Sequence, residues 1–371
     1  MRIGIECSTL AKNRAGIGHY TYQLVKALAH QEGDEEFTLF YNRPLDIMDI
    51  PSRMRHALHG PSSTHLWAQT RLPSLCKKHN IDILHSPGQG IPLLHDGKTV
   101  LTVHDLSPMK FPEQKELKSR LIWNCVVPIM AKKADHIITP SNNTRNDVIE
   151  MLGMDERKVT RIYEAASEEY YPEIDLKRIN DFKRNKALES GYILAVATLE
   201  PRKNFPFLLR AFKHWLETSK TDATLVIIGK KGWLYHDIFK TFENLNLQRR
   251  VRFEGYITDP DLMRLYYSAA RFFMLAPLYE GFWLPGVEAM ACGTPVLAPN
   301  HSSIPEVVGD AGLLMDSLEE EAWAAAMNRL WFDTDRGAWG EKALKRAERF
   351  SWDQAAKETL DVYRQVAADA E

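Results

Sequence analysis

The stretch YILAVATLEPRKNFPFLLRAF, residues 192–212, contains the unit from which this chain is built: an apolar strand, a polar loop and a helix. Similar short β-rich runs recur between longer helical stretches. They are RIGIE, FTLFY, DILHS, TVLTVHD and HIITPS in the first half, and TLVIIG, VRFEGY, RFFMLAP and TPVLAP in the second. Strands that alternate with helices favour parallel sheets with helices on both faces. We therefore predict an α/β protein with two doubly wound, Rossmann-like domains.

The length of 371 residues also favours two domains, because one compact core rarely holds so many residues. A polar segment at 163–182 separates the two series of strands, so we predict domains over 1–170 and 171–351. The periodicity of 352–371 predicts a terminal helix whose apolar stripe contains Ala355, Leu360, Val362 and Tyr363. Since ligands of open α/β sheets lie beyond the carboxyl ends of the strands, we expect the site in a deep cleft between the domains.

The composition narrows the class of protein. There are 47 basic and 49 acidic residues, for a net charge of −2, which argues against a nucleic-acid partner. The four cysteines are far apart and form no Cys-x-x-Cys motif, which is typical of reduced thiols in a cytoplasmic protein. The N-terminal run MRIGIECSTL does not resemble a signal peptide, and no apolar run approaches the ~18 residues that span a bilayer.

Any membrane contact is therefore expected to be peripheral, at the inner face of the cell membrane. The segment KELKSRLIWNCVVPIMAKK, residues 115–133, combines basic ends with Trp123 and an apolar centre. It suits an anionic membrane surface carrying a lipid-linked substrate, although Pro128 interrupts it. The alternative is a plain helix packed in the core of the first domain.

The first motif is RIGIECSTLAKNRAGIGHY, in which a strand and a loop lead to the glycine pair Gly16 and Gly18, with Ile17 between them. Free N–H groups at the start of the following helix can face a phosphate. The alternative is a tight turn that needs positive φ. A third glycine and a suitably placed acid are missing, so this is not a dinucleotide fingerprint, and a dehydrogenase is poorly supported.

A second motif ends the strand TVLTVHD at His104 and Asp105. A histidine at a strand end can donate a hydrogen bond or titrate near neutral pH, and Asp105 could orient it. The alternative is that Asp105 caps the segment that follows.

In the opening stretch, Arg202 and Lys203 follow a strand directly, and Asn204 precedes a helix. Two cations at a helix start oppose the usual preference for acids there, and a bound anion would resolve the conflict. The alternative is a solvated basic turn. In TLVIIGKKGWLYHDI, Gly229 and Gly232 allow close backbone approach to a flat ligand, and Lys230 adds positive potential. A simple left-handed turn explains these glycines nearly as well.

The run APLYEGFWLPGVEAMACGTPVLAPN, residues 276–300, places Glu280 and Glu288 around a loop that contains Gly281. Carboxylates accept hydrogen bonds from vicinal hydroxyl groups, which suits a sugar or a ribose. We expect Glu288 to begin a helix, so that free N–H groups of the loop can hold sugar or phosphate oxygens. Either glutamate alone is equally explained as a solvated or helix-start acid.

Together these motifs resemble glycosyltransferase family 4, retaining enzymes of the GT-B fold. The resemblance rests on EGFWLPGVE, EAMACGTPV, SSIPEVVGDAGLL, EPRKN, AGIG and VHDL, and it extends over almost the whole chain. It implies that the terminal helix crosses back onto the first domain, which holds the acceptor, and that the second domain binds a nucleotide-sugar donor. VHDL and IIGKKGWLYHDI further resemble mannosyltransferases of bacterial polysaccharide and lipopolysaccharide assembly.

The resemblance also implies roles for residues. Glu280 would hold hydroxyl groups of the donor sugar, and Glu288 would hold the ribose. The backbone at Phe282, Trp283 and Leu284 would hold sugar and phosphate. Tyr256 and Ile257 would lie beside the base. The glycine loop (Gly16, Ile17 and Gly18), Arg202 and Lys203 would bind the diphosphate.

This chain departs from the family pattern where Trp283 replaces a common glycine and Ala276 a common serine. The backbone hydrogen bonds survive the first change if φ of Trp283 is negative, and the ring is then free to shape the sugar pocket or its mouth.

The expected reaction is transfer of a hexose, with mannose from GDP-mannose as the first choice, to a hydroxyl of a saccharide or lipid-linked saccharide. UDP-sugars and dTDP-rhamnose remain alternatives, as does a GT-B nucleotide-sugar epimerase or a scaffold without activity. No Asp-x-Asp motif is clearly placed for a metal, so no metal or other cofactor is expected. His104 would position the donor sugar or contact the acceptor, without acting as a base.

Overall fold

The computed structural model describes residues 1–10, 16–44, 54–58, 60, 64–88, 90–114 and 120–368. The chain divides into two compact units. Unit 1 comprises Met1–Glu164 and the segment from Ser351 onward, and unit 2 comprises Ala165–Phe350. The division follows Glu164, whereas the sequence analysis placed it after residue 170.

Within its described residues, unit 1 contains a seven-stranded sheet in which all strand pairs are parallel. Its strands are β1 (Arg2–Glu6), β2 (Glu36–Tyr41), β3 (Arg55–Leu58), β4 (Ile83–Ser86), β5 (Lys98–Thr102), β6 (His136–Thr139) and β7 (Val159–Arg161). The order is β3-β2-β1-β4-β5-β6-β7, with Ile3 opposite both Phe37 and Ile83. Two strands were not predicted from the sequence: β3, which is mostly exposed, and β7, which has three residues. Neither has the continuous apolar run of a buried strand.

Helices connect most of these strands along the chain. In the described ranges of unit 1 they are α1 (Gly16–His30), α2 (Thr64–Thr70), α3 (Leu72–Lys78), α4 (Ser107–Lys110), α5 (Val127–Lys133) and α6 (Asn142–Leu152). A π-helical turn, Ile122–Val126, precedes α5. Helix α6 illustrates local control of the boundaries: the Ser141 side chain accepts a hydrogen bond from Thr144 N, and Gly153 ends the helix with φ of 64°.

Unit 2 contains a six-stranded sheet, again with every pair parallel. Its strands are β8 (Tyr192–Val196), β9 (Thr224–Ile228), β10 (Val251–Gly255), β11 (Phe272–Met274), β12 (Val296–Pro299) and β13 (Gly312–Met315), in the order β10-β9-β8-β11-β12-β13. The central strands β8 and β11 are almost wholly buried, as expected where helices cover both faces of a sheet. The predicted parallel α/β architecture is confirmed in both units.

The helices of unit 2 connect most of its strands along the chain. They are α7 (Leu176–Asn185), α8 (Phe205–Ser219), α9 (His236–Asn244), α10 (Pro260–Ala269), α11 (Leu284–Ala291), α12 (Ile304–Val308), α13 (Glu320–Phe332) and α14 (Arg336–Ala347). A 3₁₀ turn, Pro201–Lys203, lies between β8 and α8.

The terminal helix α15 (Trp352–Ala368) belongs to unit 1, where it packs against α1, β4 and β5. Its predicted apolar stripe is confirmed, since all four of the residues named for it are buried. A polar contact accompanies this packing: the Tyr363 hydroxyl lies 2.6 Å from Nδ1 of His85 on β4. Among the described residues, no helix is long and apolar enough to cross a membrane.

Candidate functional site

Arg202, Lys203 and Glu280 form a single buried cluster in unit 2. Arg202 Nη1 donates to Glu280 Oε2 at 2.9 Å, and Lys203 Nζ donates to Glu280 Oε1 at 2.5 Å. Each oxygen of the carboxylate therefore has its own cation. Arg202 also donates to the Tyr279 carbonyl at 2.7 Å and forms an ion pair with Glu200 at 2.9 Å. The sequence analysis thus named three residues that lie together, although 77 positions separate Lys203 from Glu280.

The charges of this cluster compensate one another. Burial alone would raise the pKa of Glu280, but the charges of Lys203 and Arg202 outweigh it and hold that pKa below its ordinary value. Burial also lowers the pKa of Lys203, and the Arg202 charge adds to this, whereas Glu280 opposes it. The sequence analysis expected a bound anion to compensate the two adjacent cations. In the structure, the carboxylates of Glu200 and Glu280 compensate them. The alternative of a solvated basic turn is wrong, because both cationic side chains are mostly buried.

Trp283 departs from the expectation for its backbone. Its φ is +85°, in the left-handed region, so the condition of negative φ is not met. The ring is 2% exposed, lies 5.6 Å from the ring of Phe273, and covers Gly286, where a Cβ atom would come within 2.2 Å of it. Trp283 is therefore a core residue that packs the start of α11, rather than a side chain at the mouth of a pocket.

The loop between the two acids leads into helix α11 at Leu284, with Pro285 in its first turn. Among the described side chains, none caps this N terminus. The neighbouring Phe282 ring is buried and packs edge-on to Phe350 at 5.4 Å. Phe282 and Leu284 can thus contribute backbone groups to a ligand, as the family resemblance implies, whereas Trp283 does not meet the condition of negative φ. The side chains of Phe282 and Trp283 serve the core.

Glu288 does not begin the helix, as the sequence analysis expected, but lies within α11. Its Oε2 accepts a hydrogen bond of 2.7 Å from the Tyr267 hydroxyl on α10. Burial raises the pKa of Glu288 to about 7, although the bond from Tyr267 opposes the shift. Glu288 thus differs chemically from Glu280, since no cation within the described chain is bonded to its carboxylate. Tyr267 escaped the sequence analysis because nothing local connects it to Glu288.

In unit 1, His104 uses both of its ring nitrogens. Nδ1 lies 3.2 Å from Glu164 Oε1, and Nε2 lies 2.7 Å from the Pro87 carbonyl oxygen. Both partners are acceptors, so the ring donates to both of them at once when it is protonated. Burial alone would lower the pKa of His104, but its hydrogen bond to Glu164 and the charge of Glu164 raise it above the ordinary value.

The two ring nitrogens of His104 contact Glu164 and Pro87, while the charge of Asp105 helps to raise the pKa of His104. Asp105 Oδ1 accepts a hydrogen bond of 2.9 Å from the N–H of Ser107, so Asp105 also caps the start of α4, as the alternative proposed. The orienting carboxylate is Glu164, the last residue of this part of unit 1. Glu164 was not predicted as a site residue, because sixty positions separate it from His104 in the chain.

The glycine pair of unit 1 opens a helix as predicted, since α1 starts at Gly16. Both glycines belong to this helix, so the alternative of a turn with positive φ is wrong. Among the described residues, no atom lies within 4 Å of an ideal Cβ at Gly16, whereas Ile17 packs against Gly88. Residues 11–15, which complete this loop, lie outside the described residues.

The glycine loop after β9 packs on protein backbone. A Cβ atom at Gly229 would come within 1.9 Å of the Ala197 carbonyl oxygen, and Gly232 N donates to Leu199 O at 3.0 Å. Close approach to the backbone that follows β8 therefore explains these glycines, while Lys230 is exposed. After β10, Tyr256 is 51% exposed and Ile257 is half-buried. Both are therefore accessible to a ligand.

The segment proposed for membrane contact is only partly described, because residues 115–119 lie outside the described ranges. Met130 and Ala131 belong to the core of unit 1, and Trp123 packs against that core. Leu121, Ile122 and Ile129 are exposed. The segment is therefore a core element with an apolar outer side.

Comparison with known proteins agrees with this geometry. The family model described as Glycosyltransferase Family 4 matches residues 14–169, and the model described as Glycosyl transferases group 1 matches residues 177–346. O-antigen chain mannosyltransferase B from Escherichia coli is 30% identical over 368 residues, which cover 94% of this chain and 96% of that protein.

Two solved structures share the fold. Sucrose-phosphate synthase from Thermosynechococcus elongatus has a TM-score of 0.77 at 21% identity, with 99% of each chain covered. Anabaena HepE, in complex with UDP-glucose, has a TM-score of 0.77 at 17% identity, with 98% of this chain and 100% of that chain covered. The chain therefore belongs to glycosyltransferase family 4, and it is a glycosyltransferase of the GT-B fold.

Proposed function

We propose that this glycosyltransferase moves mannose from GDP-mannose to a hydroxyl group of a saccharide or lipid-linked saccharide, with retained anomeric configuration and without a metal. The similarity to O-antigen chain mannosyltransferase B supports the choice of mannose and of a polysaccharide acceptor. The motifs VHDL and IIGKKGWLYHDI favour the same class of enzyme.

The observation that carries the proposal is the contact of Glu280 with both Arg202 and Lys203. In a nucleotide sugar, hydroxyl groups, which donate hydrogen bonds, stand beside phosphate oxygens, which accept them. A carboxylate held against two cations has the complementary arrangement of acceptor and donors. In the proposed complex Arg202 and Lys203 turn from Glu280 to the diphosphate, and Glu280 accepts hydrogen bonds from the sugar.

The physical task of these cations is to stabilise negative charge that develops on the departing diphosphate. Two buried cations at one loop serve this purpose, because charges act more strongly where water is excluded. We propose that they replace a metal ion in this role. The charge-compensating carboxylates Glu200 and Glu280 keep the cluster stable until the donor arrives.

We further propose that the acceptor hydroxyl attacks on the face that the diphosphate leaves, and that the diphosphate takes its proton. The double hydrogen bonding of His104 supports a role other than base, since both ring nitrogens already have partners. We assign His104 a positioning role. It acts through its charge and through its hydrogen bond to the Pro87 carbonyl, which holds the loop that contains His104. Asp105 contributes by capping that loop.

The proposal is tested by donor binding and turnover. Thermal shift with GDP, UDP and dTDP and their sugars identifies the base, because a ligand that binds the folded state raises its melting temperature. GDP-mannose is expected to give the largest shift, and a larger shift with UDP-glucose, the ligand in the similar HepE structure, would overturn the choice of donor.

Two variants test the chemistry. Lys203→Ala and Glu280→Gln are each expected to lower kcat by about 10²- to 10³-fold, as for loss of one electrostatic contact to the reacting group. Lys213→Ala is the matched control, because Lys213 pairs with Glu217 on the surface of α8. Turnover near that of the wild type in Lys203→Ala would remove the role in leaving-group stabilisation. Formation of an epimer from donor alone would instead support the epimerase.

For the acceptor, we propose that unit 1 meets a membrane surface through the outer side of residues 120–133. Leu121 and Ile129 are 58% and 56% exposed, and Arg120, Lys132 and Lys133 are exposed as well. Apolar residues flanked by cations suit an anionic interface. Flotation with vesicles containing anionic lipid tests this proposal, and a protein that stays unbound at low salt would end it.

A further inference from the structure

Two serines of unit 2 hold the backbone of Glu280. The Ser302 hydroxyl accepts a hydrogen bond of 2.8 Å from Glu280 N and donates one of 2.6 Å to Glu280 O. The Ser303 hydroxyl donates to the same carbonyl oxygen at 3.0 Å. Both serines lie between β12 and α12, 22 and 23 positions from Glu280 in the chain. The backbone N–H and C=O of Glu280 are therefore both hydrogen-bonded to side chains of another loop.

These hydrogen bonds matter for the orientation of Glu280 because its own segment is irregular. The chain from Leu275 to Trp283 has neither helix nor strand, so regular backbone bonds do not orient Glu280. On the carboxylate side, the described partners are Arg202 and Lys203. If these two cations turn to a diphosphate, the carboxylate loses its ion pairs and the contacts to the backbone remain.

The conformation of Ser302 adds an independent observation. Its φ is +60°, a left-handed conformation that costs energy for a residue with a side chain and costs glycine nothing. Strained residues persist where the surrounding structure requires a particular side chain. At Ser302 the side chain makes both hydrogen bonds to Glu280, which accounts for a serine in a position that glycine would occupy without strain.

We propose that Ser302 and Ser303 are positioning residues that keep the Glu280 carboxylate aimed at the donor sugar while Arg202 and Lys203 engage the diphosphate. This inference rests on the proposed function of Glu280. Ser302 and Ser303 need not touch the substrate in this scheme. They act by fixing the backbone from which the carboxylate projects.

Ser302→Gly provides the decisive variant, because glycine accepts the same φ and removes the CH2OH group that makes both hydrogen bonds to Glu280. We expect kcat for transfer to fall by about 10- to 100-fold, as for a reacting contact displaced by about 1 Å. The affinity for the nucleoside diphosphate without sugar should stay within about two-fold, because Arg202 and Lys203 are untouched. The stability of the fold should change little, because relief of strain at residue 302 offsets the lost hydrogen bonds. Ser303→Ala should act in the same direction and guards against a folding defect of the first variant.

Lys220→Gly is the matched control. Lys220 also has a left-handed conformation, with φ of 53°, but it ends helix α8 on the surface. Relief of strain there should leave kcat unchanged. Two results would overturn the proposal: wild-type kcat in both serine variants, or parallel loss of nucleoside diphosphate binding and melting temperature, which indicates a purely structural role.

Glu280→Gln separates this inference from the proposed function. If Glu280→Gln retains full turnover, the role of Glu280 fails and the inference fails with it. If Glu280→Gln is inactive while Ser302→Gly and Ser303→Ala are fully active, the proposed function stands and the positioning role alone is wrong.

Discussion

Substitution of Glu288 by glutamine should change how the stability of the protein depends on pH. Burial raises the pKa of this carboxyl from the ordinary 4.5 to about 7 in the folded chain. The unfolded chain therefore releases the proton at lower pH than the folded chain. Between these two pKa values the folded state binds more protons, so stability falls as pH rises, and below both values the effect vanishes.

The size of the effect follows from the shift. Each pKa unit corresponds to about 1.4 kcal/mol, so the ionisation of Glu288 costs the folded state about 3 kcal/mol above pH 7. Between pH 5 and pH 8 the change is about 2 to 3 kcal/mol. For a unit of this size, 1 kcal/mol moves the melting temperature by about 2–4 °C, which gives about 5–10 °C. Glu288→Gln removes this pH-dependent penalty.

Thermal unfolding of the wild type and Glu288→Gln at pH 5 and pH 8 measures the difference. From pH 5 to pH 8, the melting temperature of the wild type should fall by about 5–10 °C more than that of Glu288→Gln. Tyr267→Phe keeps the carboxyl but removes the hydrogen bond that lowers its pKa, so it should steepen the wild-type dependence. Glu217→Gln alters an exposed carboxyl and serves as control. An equal pH dependence in the wild type and Glu288→Gln would refute the reasoning.

Tyr363→Phe should lower the free energy of unfolding by about 1–3 kcal/mol in denaturant titrations, because the buried His85 loses its hydroxyl partner. Glu164→Gln should flatten the fall of melting temperature above pH 6.5: the raised pKa of His104 adds stability below pH 6.5 that is lost as pH rises through the folded value. A wild-type profile would contradict that pairing. Gly229→Ala should destabilise the protein by more than about 1 kcal/mol in the same titrations, because the new Cβ meets a backbone carbonyl oxygen at 1.9 Å.

Much of the fold was predictable because strands and helices depend on local patterns. Runs such as RIGIE and TPVLAP are apolar over a strand length, and they form β1 and β12. Strand β3, with the sequence RHAL, was not predictable, because it is mostly exposed and its pairing with β2 supplies the order that its own residues lack. Helix α15 was predictable because its stripe repeats at helical spacing.

The candidate site was predictable in its residue types and less so in its contacts. The spacing of Glu280 and Glu288 and the pair Arg202–Lys203 identified the family and the acids, since motifs are local. The motif nevertheless does not indicate that the two carboxylates have different partners. Both carboxylates are buried, but only Glu280 is paired with cations, which lower its pKa, whereas burial raises the pKa of Glu288 despite the hydrogen bond from Tyr267.

The sequence by itself determined the parallel α/β architecture, the family and the main polar residues of the site. Only the tertiary structure decided which partners those residues have: Glu164 for His104, Tyr267 for Glu288, and Ser302 for Glu280. The physical reason is that periodicity and motifs lie in neighbouring residues, whereas a buried polar group must find its partner wherever the folded chain brings one. Burial likewise sets pKa values, and no local pattern encodes it.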